Sequence, residues 1–212
     1  MESQNRSYED IMSKRINRCH RYFCDIILND LQNYNVWVAG GAIRSWFALE
    51  NTTDIDLFFP SEKEKNKALE HLKGLGGEVI FENDNVTKVK YKSKVIDFCK
   101  VYYKDPEDTI NNFDFTVSMG ACDKKNTYFG DDFFMDLASR RLAINATPYP
   151  MSSLYRLQKY IKKGYWMCKE EMIKFTAVLQ GVDLTQFQLT PEAENNDNEP
   201  ESESGQSFPG MD

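Results

Sequence analysis

Asp54 and Asp56 stand two residues apart in the apolar run Asp54-Ile-Asp-Leu-Phe-Phe59. Strand residues i and i+2 face the same side, so the two carboxylates are held close together while Ile55 and Leu57 face the core. Like charges at that distance repel unless a cation sits between them. Mg²⁺ (or Mn²⁺), bound by one or two carboxylates and by substrate phosphates, resolves the repulsion. Thirteen residues before Asp54, Gly41 closes the segment Val36-Trp-Val-Ala-Gly40-Gly41, and Ala-Ile-Arg44 follows. That pattern reads as a strand, a tight turn and the start of a helix. Backbone N–H groups at such a turn, with the positive end of the helix dipole, suit phosphate oxygens. Glycine has no Cβ, so the backbone can approach closely. A third acid, Asp97, interrupts the apolar stretch Val95-Ile96-Asp97-Phe98. A carboxylate there is costly without a partner, and two partners are open to it: a metal ion or a nearby lysine. Three aspartates on neighbouring strands can hold two metal ions, which stabilise the attacking and leaving oxygens of a phosphoryl or nucleotidyl transfer.

The elements that must position these groups follow from periodicity. Ser7 and Asp10 resemble a capping box, and Ile11, Ile16, Cys19, Phe23, Ile26, Ile27 and Leu31 recur at helical spacing, predicting one helix over 7–32. Strands are predicted at 36–39, 54–59, 79–82, 86–91 and 94–103. Helices are predicted at 42–49 and 62–75, the latter capped by Ser61 and stopped at Gly76-Gly77. Pro106–Asn111 reads as a helical turn, and Phe115–Cys122 fits strand or helix. Residues 123–148 read as loop-rich, with a short element at Asp136-Leu137 and a strand-like Arg141–Ile144. Helices at 152–163 and 169–179 end the ordered part. The prediction is an α+β fold: a mixed sheet with flanking helices (1–148), a short helical appendage (149–183) and an acidic disordered tail (190–212).

Of 33 acids and 26 Lys plus Arg, residues 191–212 take seven acids and no base. Residues 1–190 therefore carry equal numbers of each sign, and the net charge of -7 argues against neither a nucleotide nor a nucleic-acid ligand. The tail is too poor in apolar residues to order itself and is a candidate for docking a protein partner. The longest apolar stretch is too short to span a bilayer, and no basic-then-apolar leader opens the chain. Five scattered cysteines without a C-x-x-C pair favour neither disulfides nor zinc, and fit a reducing cytoplasm. The basic residues Arg156, Lys159, Lys162 and Lys163, spaced i, i+3, i+6 and i+7, fall mostly on one helix face. They read either as contacts to a nucleic-acid backbone or as a solvated face.

Gly40-Gly41-Ala-Ile-Arg44 with Asp54-x-Asp56 resembles the head domain of class II CCA-adding enzymes and bacterial poly(A) polymerases, in the polymerase-β nucleotidyltransferase superfamily. Asn112-Phe-Asp114-Phe-Thr116-Val-Ser118, Asp136-Leu137 to Leu142, and Leu154-Tyr-Arg156 to Gly164-Tyr165 are similar to later motifs, in the same order over about residues 34–175. The resemblance implies a metal-dependent transfer of NMP from an NTP to an acceptor hydroxyl, an RNA 3′ end, with release of pyrophosphate. It assigns metal binding to Asp54 and Asp56, with Asp97 as the superfamily's third carboxylate. It assigns the triphosphate to Gly40 and Gly41 with Arg44 nearby, the ribose to Asp114, and nucleotide selection to the helix of Arg156.

Several positions depart from the pattern. Ser45 stands for an aspartate, Asn112 and Phe113 for two arginines, and Ser118 for an asparagine. Ser152-Ser153 stands for a Glu-Asp pair that can accept hydrogen bonds from a base edge. The expectation is a minimal nucleotidyltransferase, of phage or bacterial origin, rather than a CCA-adding enzyme. The alternatives are an eroded nucleotidyltransferase fold used for binding or assembly, and a transferase acting on a protein or small-molecule hydroxyl.

Overall fold

The structure, a computed structural model, describes residues 7–182 apart from Thr53. The tail expected at 190–212 lies outside the described residues. Helix α1 (Tyr8–Phe23) starts where Ser7 Oγ accepts the Asp10 N–H at 3.2 Å, as its capping residues predict. The predicted helix over 7–32 does not continue as one regular element. Cys24–Leu28 widens into a π-turn, with Asn29 N–H donating to the Cys24 carbonyl. The widened turn lets Cys24, Ile27, Leu28 and Leu31 all reach the core.

Strands β1 (Trp37–Ala39), β2 (Asp54–Phe59), β3 (Glu78–Glu82), β4 (Val86–Tyr91), β5 (Lys94–Tyr102), β6 (Gly120–Cys122) and β7 (Thr127–Phe129) form one sheet in the order β3-β4-β5-β2-β1-β6-β7. Only β2 and β5 pair in parallel; the other neighbours are antiparallel. Helix α2 (Gly41–Ala48) follows β1, and α3 (Glu62–Gly74) leads from β2 toward the β3–β4 hairpin. Ser61 Oγ caps α3 by accepting the Glu64 N–H at 3.3 Å, and Gly76 ends it with φ 95°.

Alternation along the strands divides the sheet into two chemically different faces. Ile55, Leu57, Phe59, Ile96, Phe98, Val38 and Val89 pack with residues of α1, α2 and α3 in the main core. The opposite face carries Asp54, Asp56 and Phe58 on β2 and Asp97 and Cys99 on β5. Toward β6 it is sealed by a second cluster, Trp37, Ala39, Phe58, Cys99, Ile110, Met119 and Ala121, together with α4 (Pro106–Asn111). Trp37 Nε1 donates to Thr109 Oγ1 at 2.8 Å, tying that helix to β1.

The region after residue 111 departs most from its expected elements. Phe115 is extended and bridges Ile144, Thr116–Ser118 forms a 3₁₀ turn, and only Gly120–Cys122 is strand. The loop-rich stretch contains β7 and a further helix, α5 (Phe133–Ser139), whose Phe133 and Phe134 meet Phe47 and Phe129 edge-on or tilted. Arg141–Ile144 is not a strand but two isolated bridges, Phe115 to Ile144 and Arg141 to Trp166. Helix α6 (Pro150–Lys162) joins the sheet domain through a third apolar cluster of Phe115, Val117, Leu142, Tyr160, Tyr165 and Met167, and Glu171 of α7 (Lys169–Leu179) accepts the Ile144 N–H at 2.8 Å. Among the described residues no helix is long and apolar enough to cross a membrane.

Candidate active site

Gly40 has φ 80° and ψ -130°, a conformation that side-chain-bearing residues rarely adopt, and it is the residue from which α2 begins. Its N–H donates to the Gly120 carbonyl and its carbonyl accepts from Arg44 N–H. Trp37 pairs with Phe58 and Val38 with Leu57 across β1 and β2. Continuing that register sets Ala39 beside Asp56 and brings the Gly40 turn to the aspartate face. The first amides of a helix have no partners within it, so the N-terminal end of α2 offers donors there.

Across β2 and β5, Asp54 pairs with Val95 and Asp56 with Asp97. The parallel register thus sets two of the three carboxylates on directly adjacent strand positions. Asp56 and Asp97 are buried, whereas the Asp54 side chain is 43% exposed. Lys88 of β4 lies opposite Asp97 in the antiparallel β4–β5 pair. Its ammonium nitrogen is 2.9 Å from Asp97 Oδ2 and 3.8 Å from Asp54 Oδ2. Of the two partners open to Asp97, the structure supplies the lysine.

Among the described residues no group of three or more His, Cys, Asp or Glu converges on one point. Asp54 and Asp56 nevertheless present hard oxygen donors from one strand face, and two carboxylates plus substrate phosphates is the coordination Mg²⁺ favours. The residues fit one such ion on Asp54 and Asp56. Asp97, expected to help bind a second ion, is engaged through Oδ2 by Lys88.

Farther along the same face is a pocket of about 480 Å³, including the space open to solvent, bordered by Gly40, Phe58, Tyr103, Phe113, Tyr149 and Tyr160. Phe58 follows Asp56 by two residues, about 6–7 Å along the strand. Gly40 borders this pocket, whereas Asp54, Asp56 and Asp97 stand on the same sheet face outside its lining. Burial pushes the Tyr103 hydroxyl up to about 12, so it is a neutral hydrogen-bonding group at physiological pH.

Asp114 and Arg156 also border the pocket. Arg156 Nε donates to Asp114 Oδ2 at 2.6 Å, and Phe115 N–H donates to Asp114 Oδ1 at 3.0 Å. Arg156 is thereby corrected from a surface stripe to an inward-facing residue; Lys159, Lys162 and Lys163 remain exposed. Arg44, expected near the triphosphate, packs at the junction of α2 and α6. It is buried, donates to Ser45 Oγ at 2.9 Å, lies 3.6 Å from Glu50 and stacks at 4.9 Å over the Tyr160 ring. Burial pushes its pKa down, but Tyr160, Tyr165 and Glu50 outweigh that and hold it above the usual arginine value. It secures α2 to α6. Ser118 Oγ and Tyr160 Oη form a hydrogen bond of 2.6 Å at the same junction.

Sequence reasoning missed Lys88, Tyr160 and the aromatic pocket wall. Lys88 was recoverable from the hairpin register. Lys92 and Ser93 both have positive φ, 45° and 62°, giving the two-residue turn that pairs Lys88 with Asp97. Turns of this kind usually announce themselves as Asn-Gly or Asp-Gly, and this one does not.

A family model described as "Gabija anti-defense 2 family protein" matches residues 14–140. A curated relative, "Gabija anti-defense 2" of Bacillus phage SPbetaL7, is 34% identical over 175 residues, covering 80% of this chain and 43% of the relative. The chain thus spans less than half of that relative's length. A solved complex of CCA-adding enzyme with CTP superposes with TM-score 0.59 at 16% identity, over 83% of this chain and 47% of that one. The Thermotoga maritima CCA-adding enzyme complexed with tRNA_CCA gives TM-score 0.57 at 14% identity, over 82% of this chain and 45% of that one. The Bacillus stearothermophilus CCA-adding enzyme in complex with CTP gives 0.57 at 13%, over 79% and 46%. At these identities the likeness is one of fold: a nucleotidyltransferase-like α+β architecture.

Proposed function

The chain belongs to the Gabija anti-defense 2 family, and we propose that it serves counter-defence as a metal-dependent nucleotidyltransferase, moving NMP from an NTP to an acceptor hydroxyl. The observation that carries this reading is the single sheet face that holds Asp54 and Asp56 and runs to the Gly40 turn, where an aromatic pocket begins. An NTP has the matching polarity, with a polyanionic end for the turn and carboxylates and a flat apolar end for the pocket.

Asp54 and Asp56 would hold one Mg²⁺ or Mn²⁺, which when bound neutralises phosphate charge and acts as a Lewis acid. The Gly40 turn and the first amides of α2 donate to phosphate oxygens. Phe113, Tyr103 and Tyr149 sandwich or edge the base over a floor supported by Phe58, and stacking of this kind tolerates any base because each has a π-face. Asp114, held rigid by Arg156 and Phe115 N–H, orients the ribose hydroxyls with its remaining lone pairs. Positioning and charge neutralisation supply most of the acceleration in such transfers.

The acceptor we favour is an RNA 3′ end, because CCA-adding enzymes of this fold are seen with tRNA and the exposed Lys159, Lys162 and Lys163 offer phosphate contacts. The test is pyrophosphate release with each of the four NTPs, Mg²⁺ or Mn²⁺, and pooled small RNA, in the wild type and the Asp54→Asn/Asp56→Asn double variant. Release confined to the wild type, with RNA growing at its 3′ end, supports the proposal in full. Release without RNA growth redirects the acceptor to a protein or small-molecule hydroxyl. No release from folded protein refutes catalysis and leaves the fold as a binding module.

A further inference from the structure

We infer that the Lys88 ammonium is a built-in cation of the aspartate face, so that this centre takes one divalent ion, on Asp54 and Asp56, where three carboxylates would otherwise take two. The inference rests on the metal-dependent reading above and specifies its stoichiometry.

The geometry follows from three strands in register. Asp56 of β2 is beside Asp97 of β5, and Asp97 is beside Lys88 of β4. The lysine therefore approaches the carboxylates from the β4 side. Its Nζ lies 2.9 Å from Asp97 and reaches past it to within 3.8 Å of Asp54. The Asp97 side chain is only 9% exposed and that of Lys88 19%, so the pair is largely shielded from water and from screening by salt. The formal charges agree. Three carboxylates, one ammonium and one divalent ion sum to zero, whereas a second divalent ion would leave two positive charges in a partly buried site. Lys88 engages Asp97 through Oδ2, so an ion on Asp97 would share that carboxylate with an ammonium 2.9 Å away.

Lys88 is thus a positioning residue. It fixes Asp97, limits the repulsion among the carboxylates before substrate arrives, and confines the divalent ion to the exposed edge at Asp54.

The experiment counts metal ions directly, by titrating purified protein with Mn²⁺ and following the free-ion electron paramagnetic resonance signal, with folding checked by far-UV circular dichroism. The expected stoichiometry is one for the wild type, two for Lys88→Met, which keeps the chain length and removes the charge, and one for Asp97→Asn. Two ions on the wild type, one on folded Lys88→Met, or none on folded Asp97→Asn would each overturn the inference while leaving a metal centre. No ion on either the wild type or Lys88→Met would remove the metal centre itself, and the inference with it. Should Lys88→Met fail to fold, Lys88→Gln and Asp97→Asn decide the question by the same counts.

Discussion

Replacing Arg156 by Gln should cost far more stability than a surface substitution on the same helix. Asp114 and Arg156 have side chains only 4% and 12% exposed, and their charged atoms meet at 2.6 Å. Removing the guanidinium leaves Asp114 a buried carboxylate beside the Phe115 N–H, which donates to it at 3.0 Å. Breaking a buried pair from one side typically costs about 3–5 kcal/mol, because the remaining charge keeps its desolvation penalty. At roughly 2–4 °C per kcal/mol for a chain of this size, the melting temperature should fall by roughly 6–20 °C. Asp114→Asn should cost less, since the amide still accepts from Phe115 and Arg156 keeps some contact with water. In the double variant no buried charge is stranded, so its loss should fall short of the summed single losses by about 2 kcal/mol. Urea unfolding of the four proteins, fitted with a common slope, reads these differences. An Arg156→Gln loss under about 1 kcal/mol, or additive single losses, would refute the view that this pair is desolvated and bonds α6 to the sheet domain.

Three other outcomes follow from particular contacts. Trp37→Phe should destabilise by about 1–3 kcal/mol through loss of ring volume and of the bond to Thr109, and adding Thr109→Val should cost about 1 kcal/mol more in urea melts, since the hydroxyl still donates to the Asp105 carbonyl at 3.0 Å. Glu171 accepts the Ile144 N–H at 2.8 Å and pairs with Lys174; burial pushes its pKa up, but these contacts outweigh it and hold the group below the usual glutamate range. Its native pKa is then below the unfolded one, so its contribution is present above about pH 4.3 and is lost as pH falls through and below that value; unfolding midpoints measured from pH 7 to pH 3 should drop more steeply for the wild type than for Glu171→Gln. Cys19 is buried and its thiol is pushed up to about 12, whereas Cys168 is partly exposed, so brief alkylation of native protein at pH 8 should label Cys168 first by mass spectrometry, and all five cysteines only in denaturant.

Local chemistry was the legible part of this chain. Asp54 and Asp56 in an alternating run, the Gly40-Gly41 turn and the caps at Ser7 and Ser61 are each determined by neighbours within four residues, and each forms as the residues imply. What was hidden depends on pairing across long sequence separations. No local signal states that β5 lies parallel to β2, yet that register is what sets Asp97 beside Asp56. Spacing alone put Arg156 in a stripe with three lysines, because a helical wheel does not show that Asp114, 42 residues earlier, waits at the buried side. The same holds for Arg44, whose partner Tyr160 comes from α6. Strand β7 escaped, and α5 was legible only at Asp136-Leu137, because aromatic packing among Phe47, Phe129, Phe133 and Phe134, rather than periodicity, defines them.

The claim that this fold transfers a nucleotidyl group is tested most directly by following the label from NTPs marked at either the α or the γ phosphorus. Transfer of NMP predicts that α label enters the acceptor, that γ label leaves as pyrophosphate, and that the Asp54→Asn/Asp56→Asn variant does neither. Entry of γ label into the acceptor, transfer that persists in the variant, or no transfer of either label by folded wild-type protein would contradict it.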